Sequence, residues 1–216
     1  MSAIATLPAA PLALIASSPP ADWGPRPMKW TREQYYELGK LGFFQDRRVE
    51  LIFGEIVEMS PIGWLHVVGC RKTAELMERV FAGIGWVSRA DPVNLGDSDP
   101  QPDIAVIPGE FDEHATHPTT ALLIVEVSDA TLDGDLTIKA ELYATANFAD
   151  YWVLDLVNRQ LHVLRDPVAL PAGLGATAYR THATFNATDT VSPLAAPHVA
   201  ISVADLLPAL QTHGGA

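Results

Sequence analysis

The chain has 216 residues and a net charge of −12 at pH 7, with 48% hydrophobic and 19% charged residues. A domain of about this length buries roughly 70% of the surface that its unfolded chain exposes, so it needs no disulfide or structural metal to fold. The single cysteine, Cys70, excludes an intramolecular disulfide, and the acidity argues against non-specific nucleic-acid binding, which depends on contacts of Lys and Arg with phosphates.

Residues 1–27 are rich in Ala, Pro and Ser, with no Lys or Arg before Arg26. Prolines break their short apolar stretch, which argues against a signal peptide. No apolar run approaches the roughly 20 residues that span a bilayer. We therefore expect a flexible arm at 1–27, a single domain at 28–208 with its core at about 30–165, and a frayed tail at 209–216. The lone cysteine fits a cytoplasmic protein, and the lack of a spanning apolar run leads us to expect no membrane contact.

The first predicted element is a helix. Thr31 and Gln34 have the spacing of a capping box, in which each side chain satisfies a backbone amide at the helix start. The helix should end at about Leu41, because Gly42 follows.

A β-hairpin comes next. The runs 48–52 and 55–59 alternate around Phe53-Gly54, and a two-residue loop with glycine is typical of a tight hairpin. Glu50 shares a face with Ile52, so we expect it to be half-buried. The alternative is an ordinary surface glutamate on an edge strand.

A long helix is predicted from Pro61 to about Phe81. His66, Cys70, Thr73 and Met77 recur at steps of three and four, which places them on one face. His66 lies near the helix start, so its side chain can face the hairpin. The alternative is a core or capping group, which is the more common role of a lone helical histidine. Cys70 is interpreted as a small core residue.

Extended segments follow at 86–89 and 93–95, with a polar turn at 96–100. The next strand, 102–107, begins with Pro102, whose missing amide is tolerated at a strand start. The run 121–128 is continuously apolar apart from one acid, which predicts a central strand covered on both faces.

Two acids, Asp103 and Glu126, stand in these apolar runs. Burying a charge is costly unless a partner compensates it, and a divalent cation is the simplest partner that two acids can share. The next helix, from Asp135 with Asp133 as N-cap, brings Lys139 near them as a positive charge. The alternative for Lys139 is a surface ion pair with Asp135, four residues earlier.

The remainder of the chain reads as β-structure. Asn147 can end the preceding helix in a left-handed conformation. The segments are a hairpin of 151–156 with 161–164, a loop at 169–177, short strands at 181–185 and 190–192, and an apolar piece at 199–207.

In this order the pieces resemble the restriction-endonuclease-like superfamily, whose signature is written PD-(D/E)XK, and within it the Uma-type endonuclease family, formerly catalogued as a domain of unknown function. The matching pieces are Val49-Glu50-Leu51-Ile52 with Gly54, His66, Pro102-Asp103, Val125-Glu126-Val127-Ser128, Asp135 with Lys139 and Tyr143, and Tyr151-Trp152. The likeness covers roughly residues 30–165. Ser128 stands where the wider superfamily has lysine, and the resemblance implies that Lys139 has taken over its role.

The resemblance implies an α/β fold, with a central mixed β-sheet flanked by helices and an additional C-terminal β-rich segment. It implies a metal-dependent endonuclease that hydrolyses phosphodiester bonds, in DNA rather than RNA, as a homodimer. Asp103 and Glu126 would bind Mg²⁺ or Mn²⁺, and Glu50 would be a third metal-binding acid, either through water or at a second metal. Lys139 would orient or help to deprotonate the attacking water, or stabilise developing negative charge, and His66 would assist.

Two other functions remain open at this point. The net charge of −12 and the scarcity of clustered Lys and Arg favour a nuclease fold that no longer cuts and serves as an interaction module. Five basic residues could gather on one face, and they are Arg47, Arg48, Arg71, Lys72 and Arg79. The third reading is a metal-dependent hydrolase that acts on a small phosphate ester.

Overall fold

The computed structural model describes residues 28–170 and 177–209. The predicted arm at 1–27, positions 171–176 of the predicted loop and positions 210–216 of the predicted tail lie outside the described residues. None of the helices in the described ranges combines the length and apolarity needed to cross a membrane.

The described chain alternates helices and strands. Helices α1 to α4 span Arg32–Lys40, Trp64–Val80, 132–145 and Val203–Leu206. Strands β1 to β10 span Val49–Ile52, Glu55–Glu58, Gly85–Ser88, Ile104–Pro108, Leu123–Ser128, Asp150–Asp155, Gln160–Ala169, Thr177–Asn186, Thr190–Val191 and Ile201–Ser202. A short 3₁₀ turn, Phe111–Glu113, lies between β4 and β5.

Six strands form a central mixed sheet in the order β3-β4-β5-β6-β7-β8. Strands β5 and β6 are parallel, and the other neighbours in this sheet are antiparallel. Parallel neighbours need a crossover connection, which α3 supplies. The pairs β1–β2 and β9–β10 form two small separate sheets. The predicted α/β architecture, with helices flanking a mixed sheet and a β-rich C-terminal segment, is confirmed.

Strand β5 is the centre of the molecule, and all six of its residues are buried. Val125 and Val127 pack in the core that includes Met77 of α2, whereas Ile124 packs in the core that includes Tyr143 of α3. Successive side chains of a strand point to opposite faces, so the prediction of a strand covered on both faces is confirmed. By the same alternation, Glu126 points to the α3 side.

Helix α2 lies unusually close to β5 at Gly69. A methyl group at this position would lie 3.0 Å from Cγ1 of Val127 and 3.2 Å from Cδ2 of Leu156. The helix begins at Trp64, slightly later than the predicted Pro61, and Gly63 is its N-cap. The close approach holds the first turns of α2 against the end of the central strand.

The N-terminal helix and hairpin agree with their predictions. Thr31 and Gln34 form the capping box in both directions. Phe53 and Gly54 both have positive φ, +48° and +74°, as a two-residue turn between right-twisted strands requires.

The prediction that Glu50 is half-buried is wrong, because all four residues of β1 are buried. The polar turn at 96–100 covers the free edge of the strand, where the amide of Asp99 donates to the carbonyl of Leu51 at 2.7 Å. The same turn explains why 93–95 is not a strand. Val93 and Leu95 donate to the carbonyls of Pro100 and Ser98, which fold this segment back on itself.

Helix α3 differs most from its prediction. It starts at Leu132, so Asp133 is inside the helix rather than at its N-cap, and residues Asp135–Lys139 form a π-helical turn between two α-helical segments. The side chains of Ser128 and Thr131 both donate to Oδ2 of Asp135, which ties the helix start to the end of β5. Asn147 has φ +61° after the helix, as predicted.

The last two long strands extend further than predicted. β7 runs to Ala169 and β8 starts at Thr177, so the described ends of the predicted loop at 169–177 belong to strands. Their register pairs Ala169 with Thr177. Backbone pairing therefore overrides the loop-like composition at these two positions.

Candidate functional site

A cleft of about 270 Å³ opens where the hairpin, the start of α2, the end of β5 and the start of α3 meet. Val57, Met59, Ile62 and Ile138 contribute to its apolar walls. Its charged residues are six acids and two bases, namely Glu50, Glu58, Asp103, Glu126, Asp129, Asp135, Arg48 and Lys139. The cleft is therefore strongly acidic.

Lys139 is the positive centre of this cleft. Its ammonium lies 3.1 Å from Oε1 of Glu50 and 3.0 Å from Oε1 of Glu126. The side chain of Lys139 is 14% exposed, and those of the two glutamates are 4% and 5% exposed. Lys139 thus binds two buried carboxylates rather than forming the alternative surface pair with Asp135.

Glu126 is held at both oxygens. Oε1 accepts a hydrogen bond from the hydroxyl of Tyr143 at 2.7 Å, and Oε2 accepts one from the amide of Asp103 at 3.3 Å. Oε1 of Glu50 accepts from the amide of Gln101 at 2.7 Å. These contacts fix both carboxylates on the rigid sheet and hairpin, as a preorganised site requires.

Asp103 lies immediately before β4 rather than within the strand. Its Oδ2 accepts a hydrogen bond from the amide of Val127 at 2.8 Å and lies 3.1 Å from Nε2 of His66. Sγ of Cys70 lies 3.4 Å from Nδ1 of the same histidine. The interpretation of Cys70 as a plain core residue therefore missed its contact with the site, although its spacing of four from His66 already placed both on one helix face.

The ionisation of the cleft follows from burial and charge. Burial opposes the charged form of Lys139, but the carboxylates of Glu126 and Glu50 outweigh it and raise the pKa of the ammonium. Burial raises the pKa of Glu126, and the nearby charge of Lys139 opposes this shift. A hydrogen bond with Asp103 raises the pKa of His66. Lys139 is consequently a permanent cation at neutral pH.

The free oxygens of the cleft suit a hard divalent cation. Oδ1 of Asp103 and Oε2 of Glu50 accept no hydrogen bond from residues within 28–170 or 177–209. Mg²⁺ and Mn²⁺ prefer carboxylate oxygen, and the excess of acids over bases leaves negative charge for a cation to neutralise. The chemistry of Asp103, Glu126 and Glu50 therefore suits such an ion. One oxygen from each of the three does not lie within 4.8 Å of the other two, so a single ion would contact at most two of these carboxylates directly and the third through water.

The five predicted site residues, Glu50, His66, Asp103, Glu126 and Lys139, all line this one cleft. Of the five basic residues that could gather on one face, Arg48 lines the cleft. Residues that are far apart along the chain therefore lie close together in space.

The model of the Uma2 family, described as "Putative restriction endonuclease", matches residues 32–204. The chain belongs to the Uma2 family. The match includes every charged residue of the cleft. A search of curated proteins finds no match.

A solved structure supports the fold of this Uma2 chain. The chain is similar to the crystal structure of a putative nuclease belonging to DUF820 from Anabaena variabilis ATCC 29413, with a TM-score of 0.63 and 18% sequence identity. The alignment covers 82% of this chain and 96% of the other.

Proposed function

We propose that this Uma2 chain is a metal-dependent endonuclease that hydrolyses phosphodiester bonds in DNA. The observation that carries the proposal is the ammonium of Lys139 between Glu50 and Glu126, with Asp103 beside them in one acidic cleft. Family membership supports a nuclease, whereas metal dependence and the preference for DNA are inferred from the donor set and the resemblance.

Asp103 and Glu126 would hold Mg²⁺ or Mn²⁺, with Glu50 as a third acid that acts through water or at a second metal. When bound, such an ion makes a water nucleophilic near neutral pH and neutralises charge on the phosphate. Without one, the six acids of the cleft would repel a phosphodiester.

Lys139 supplies a fixed positive charge at the site. Because neighbouring carboxylates keep it protonated, it stabilises negative charge that develops on a phosphate oxygen rather than removing a proton from water. Tyr143 orients Glu126 through its 2.7 Å hydrogen bond, and His66 orients Asp103.

The decisive experiment is a cleavage assay. Supercoiled plasmid, single-stranded DNA and RNA are incubated at low salt with Mg²⁺, Mn²⁺ or EDTA. We expect metal-dependent cleavage of DNA that falls on the order of 100-fold or more in Asp103→Asn and Lys139→Met, because each removes charge stabilisation at the reacting phosphate. Asp112→Asn and Lys40→Met change an exposed acid and an exposed base, and they should cut like the wild type.

Three outcomes of this assay would redirect the proposal. Unchanged cleavage in Asp103→Asn contradicts the assigned site. Hydrolysis of an aryl phosphate or nucleotide without polymer cleavage indicates a small phosphate-ester hydrolase. The absence of cleavage, together with the absence of metal binding in a separate titration, indicates the non-catalytic module that the net charge of −12 favours.

We also propose a homodimer that acts in the cytoplasm, in which each subunit cuts one strand. Exposed apolar side chains on the first turns of α2, Trp64, Leu65 and Val67, would support contact between copies. Sedimentation analysis should give twice the chain mass of 23.3 kDa, and a monomer at all concentrations contradicts the dimer.

A further inference from the structure

A second type of ligand set lies beside the carboxylates. One ligand atom each from His66, Cys70 and Asp103 lies within 4.8 Å of the others. In the described part of the chain, no other three residues among His, Cys, Asp and Glu come this close together. His66 and Cys70 are four residues apart, so they lie one above the other on the same face of α2.

We propose that His66, Cys70 and Asp103 form a binding site for a thiophilic divalent cation of the zinc type. Imidazole, thiolate and carboxylate are the three ligand types that zinc uses in proteins, whereas Mg²⁺ takes oxygen ligands. The set is therefore different in chemistry from the three carboxylates that would hold a hard cation.

The distance between Nε2 of His66 and Oδ2 of Asp103 is close to that of a tetrahedral centre. Bond lengths of about 2.0–2.3 Å to zinc imply ligand-to-ligand distances of roughly 3.4–3.6 Å. Nε2 of His66 lies 3.1 Å from Oδ2 of Asp103 and 3.9 Å from Sγ of Cys70. Sγ also lies 3.4 Å from Nδ1 of the same ring, so the sulfur sits beside the imidazole and must rotate about the Cα–Cβ bond of Cys70 to join an ion held by Nε2 and Oδ2.

The surroundings leave a fourth ligand position for water. His66 and Asp103 line the cleft, so the ion is reached from solvent. The amide of Val127 donates to Oδ2 of Asp103 at 2.8 Å and orients this carboxylate, as partners of metal ligands commonly do.

Binding requires Cys70 to lose its proton. Burial raises the pKa of the Cys70 thiol, so the sulfur is protonated when no cation is bound. As the sulfur coordinates the ion, the proton passes to solvent, one for each ion bound.

The site has a consequence for the proposed nuclease, and this part alone rests on that function. Asp103 belongs to both ligand sets, through Oδ1 for the hard cation and Oδ2 for the zinc-type ion, so a zinc-type ion withdraws negative charge from this carboxylate and weakens its bond to the hard cation. Zinc should therefore inhibit cleavage that is supported by Mg²⁺. The binding itself does not depend on whether the protein cuts DNA.

Titration of the full chain with Co²⁺ under reducing conditions tests the binding directly. Cobalt bound to a thiolate gives a charge-transfer band in the near ultraviolet, and Cys70 is the single cysteine of the chain, so no other residue can produce it. We expect this band with one ion per chain, and its displacement by Zn²⁺ but not by Mg²⁺.

Variants separate this site from others. Cys70→Ser should abolish the band. Asp103→Asn should weaken Co²⁺ binding by more than the roughly 10–100-fold that loss of an outer hydrogen-bond partner costs. His198→Ala removes an exposed histidine and should bind cobalt like the wild type.

The proposal is overturned if the wild type shows no charge-transfer band, or if Asp103→Asn binds Co²⁺ unchanged. Should the variants fail to fold, the wild type alone decides. Zn²⁺, but not Mg²⁺, should slow alkylation of Cys70 by iodoacetamide at least 10-fold, and an unchanged rate contradicts the site. Both measurements give the same answer whether or not Mg²⁺ supports cleavage.

Discussion

At the scale of single residues, Lys139 is the compensating charge for two buried carboxylates. Replacing it in Lys139→Met leaves Glu50 and Glu126 facing each other without a cation. Removing one partner of a buried ion pair typically costs about 3–5 kcal/mol. We therefore expect the free energy of unfolding in EDTA, measured by urea denaturation, to fall by about this amount.

Controls for this prediction come from the same chain. Lys40→Met removes a lysine whose ion pair with Glu37 is largely exposed, and it should change stability by less than about 1 kcal/mol. Adding Glu126→Gln to Lys139→Met should recover part of the loss, because one of the two facing charges disappears. A double variant that is less stable than Lys139→Met contradicts the pairing.

Tyr143 provides a second test at this scale. Tyr143→Phe removes the hydrogen bond to Glu126 but keeps the ring in the core. A hydrogen bond to a charged group is worth about 1.5–3 kcal/mol, and its loss also releases the carboxylate that we assign to the metal. We expect lower stability together with slower cleavage.

Tyr179→Phe is the matched control, since the hydroxyl of Tyr179 donates to the carbonyl of Phe148 at a similar 2.8 Å but away from the cleft. It should lower the free energy of unfolding by about 1 kcal/mol and leave the cleavage rate unchanged. Equal effects of both variants on the rate would remove the orienting role of Tyr143.

The sequence predicted which residues would meet better than how each would be buried. The apolar runs around Asp103 and Glu126 were sufficient to expect these two acids and Lys139 together, whereas Glu50 was added to the site by the family resemblance. The full burial of Glu50 was not predictable from β1, because a turn more than 40 residues later covers that strand. The contact of Cys70 with His66 was visible as a spacing, but nothing in the sequence showed that Asp103 would complete the group.

At the scale of elements, the contact of α2 with β5 depends on Gly69. Gly69→Ala would place a methyl group 3.0 Å from Cγ1 of Val127 and 3.2 Å from Cδ2 of Leu156, so the helix and these two side chains must separate by a few tenths of an ångström. Overpacking of this kind costs about 1–3 kcal/mol, which exceeds the gain of about 1 kcal/mol from alanine as a helix former. We expect a lower melting temperature and weaker Co²⁺ binding, because His66 and Cys70 move with the helix.

Gly39→Ala in α1 is the corresponding control. A methyl group there would lie 3.6 Å from the ring of Phe44, an ordinary contact. The substitution should therefore stabilise the protein by roughly 0.5–1 kcal/mol through helix propensity alone. If Gly69→Ala is equally stabilising, the close approach of α2 to β5 does not constrain the fold.

Elements that depend on residues close together in the sequence were predictable, whereas elements that depend on contacts with distant residues were not. The capping box of Thr31 and the turn at Phe53-Gly54 depend on neighbouring residues only. In contrast, the π-helical turn Asp135–Lys139 accompanies contacts made by both of its ends, Asp135 with Ser128 and Lys139 with Glu50. A regular helical period contains no sign of such a turn.

At the scale of the whole molecule, the net charge of −12 means that a bound divalent cation should stabilise the folded chain by reducing repulsion between its acids. We expect Mg²⁺ to raise the melting temperature relative to EDTA, because an ion that binds only the folded chain adds about 2.7 kcal/mol at 100 times its Kd. Differential scanning fluorimetry measures the shift, and Asp103→Asn should lose it.

Mg²⁺ can raise the melting temperature in two ways, by screening the repulsion between surface charges or by binding at the cleft. A monovalent salt at equal ionic strength reduces repulsion between surface charges without occupying a carboxylate site. The same rise in melting temperature with KCl, or an unchanged rise in Asp103→Asn, would show that Mg²⁺ acts by screening alone.

The parallel pair of β5 and β6 also determines when the cleft can exist during folding. Strands β6, β7 and β8 follow one another along the chain as antiparallel neighbours, whereas β5 can pair with β6 only after residues 129–149 have crossed the sheet. Non-local pairings form more slowly than local ones, so we expect the β5–β6 contact to be a late event. Lys139 lies within this crossover, so a nascent chain that has not closed it contains every residue of the site but does not yet hold the ammonium between Glu50 and Glu126.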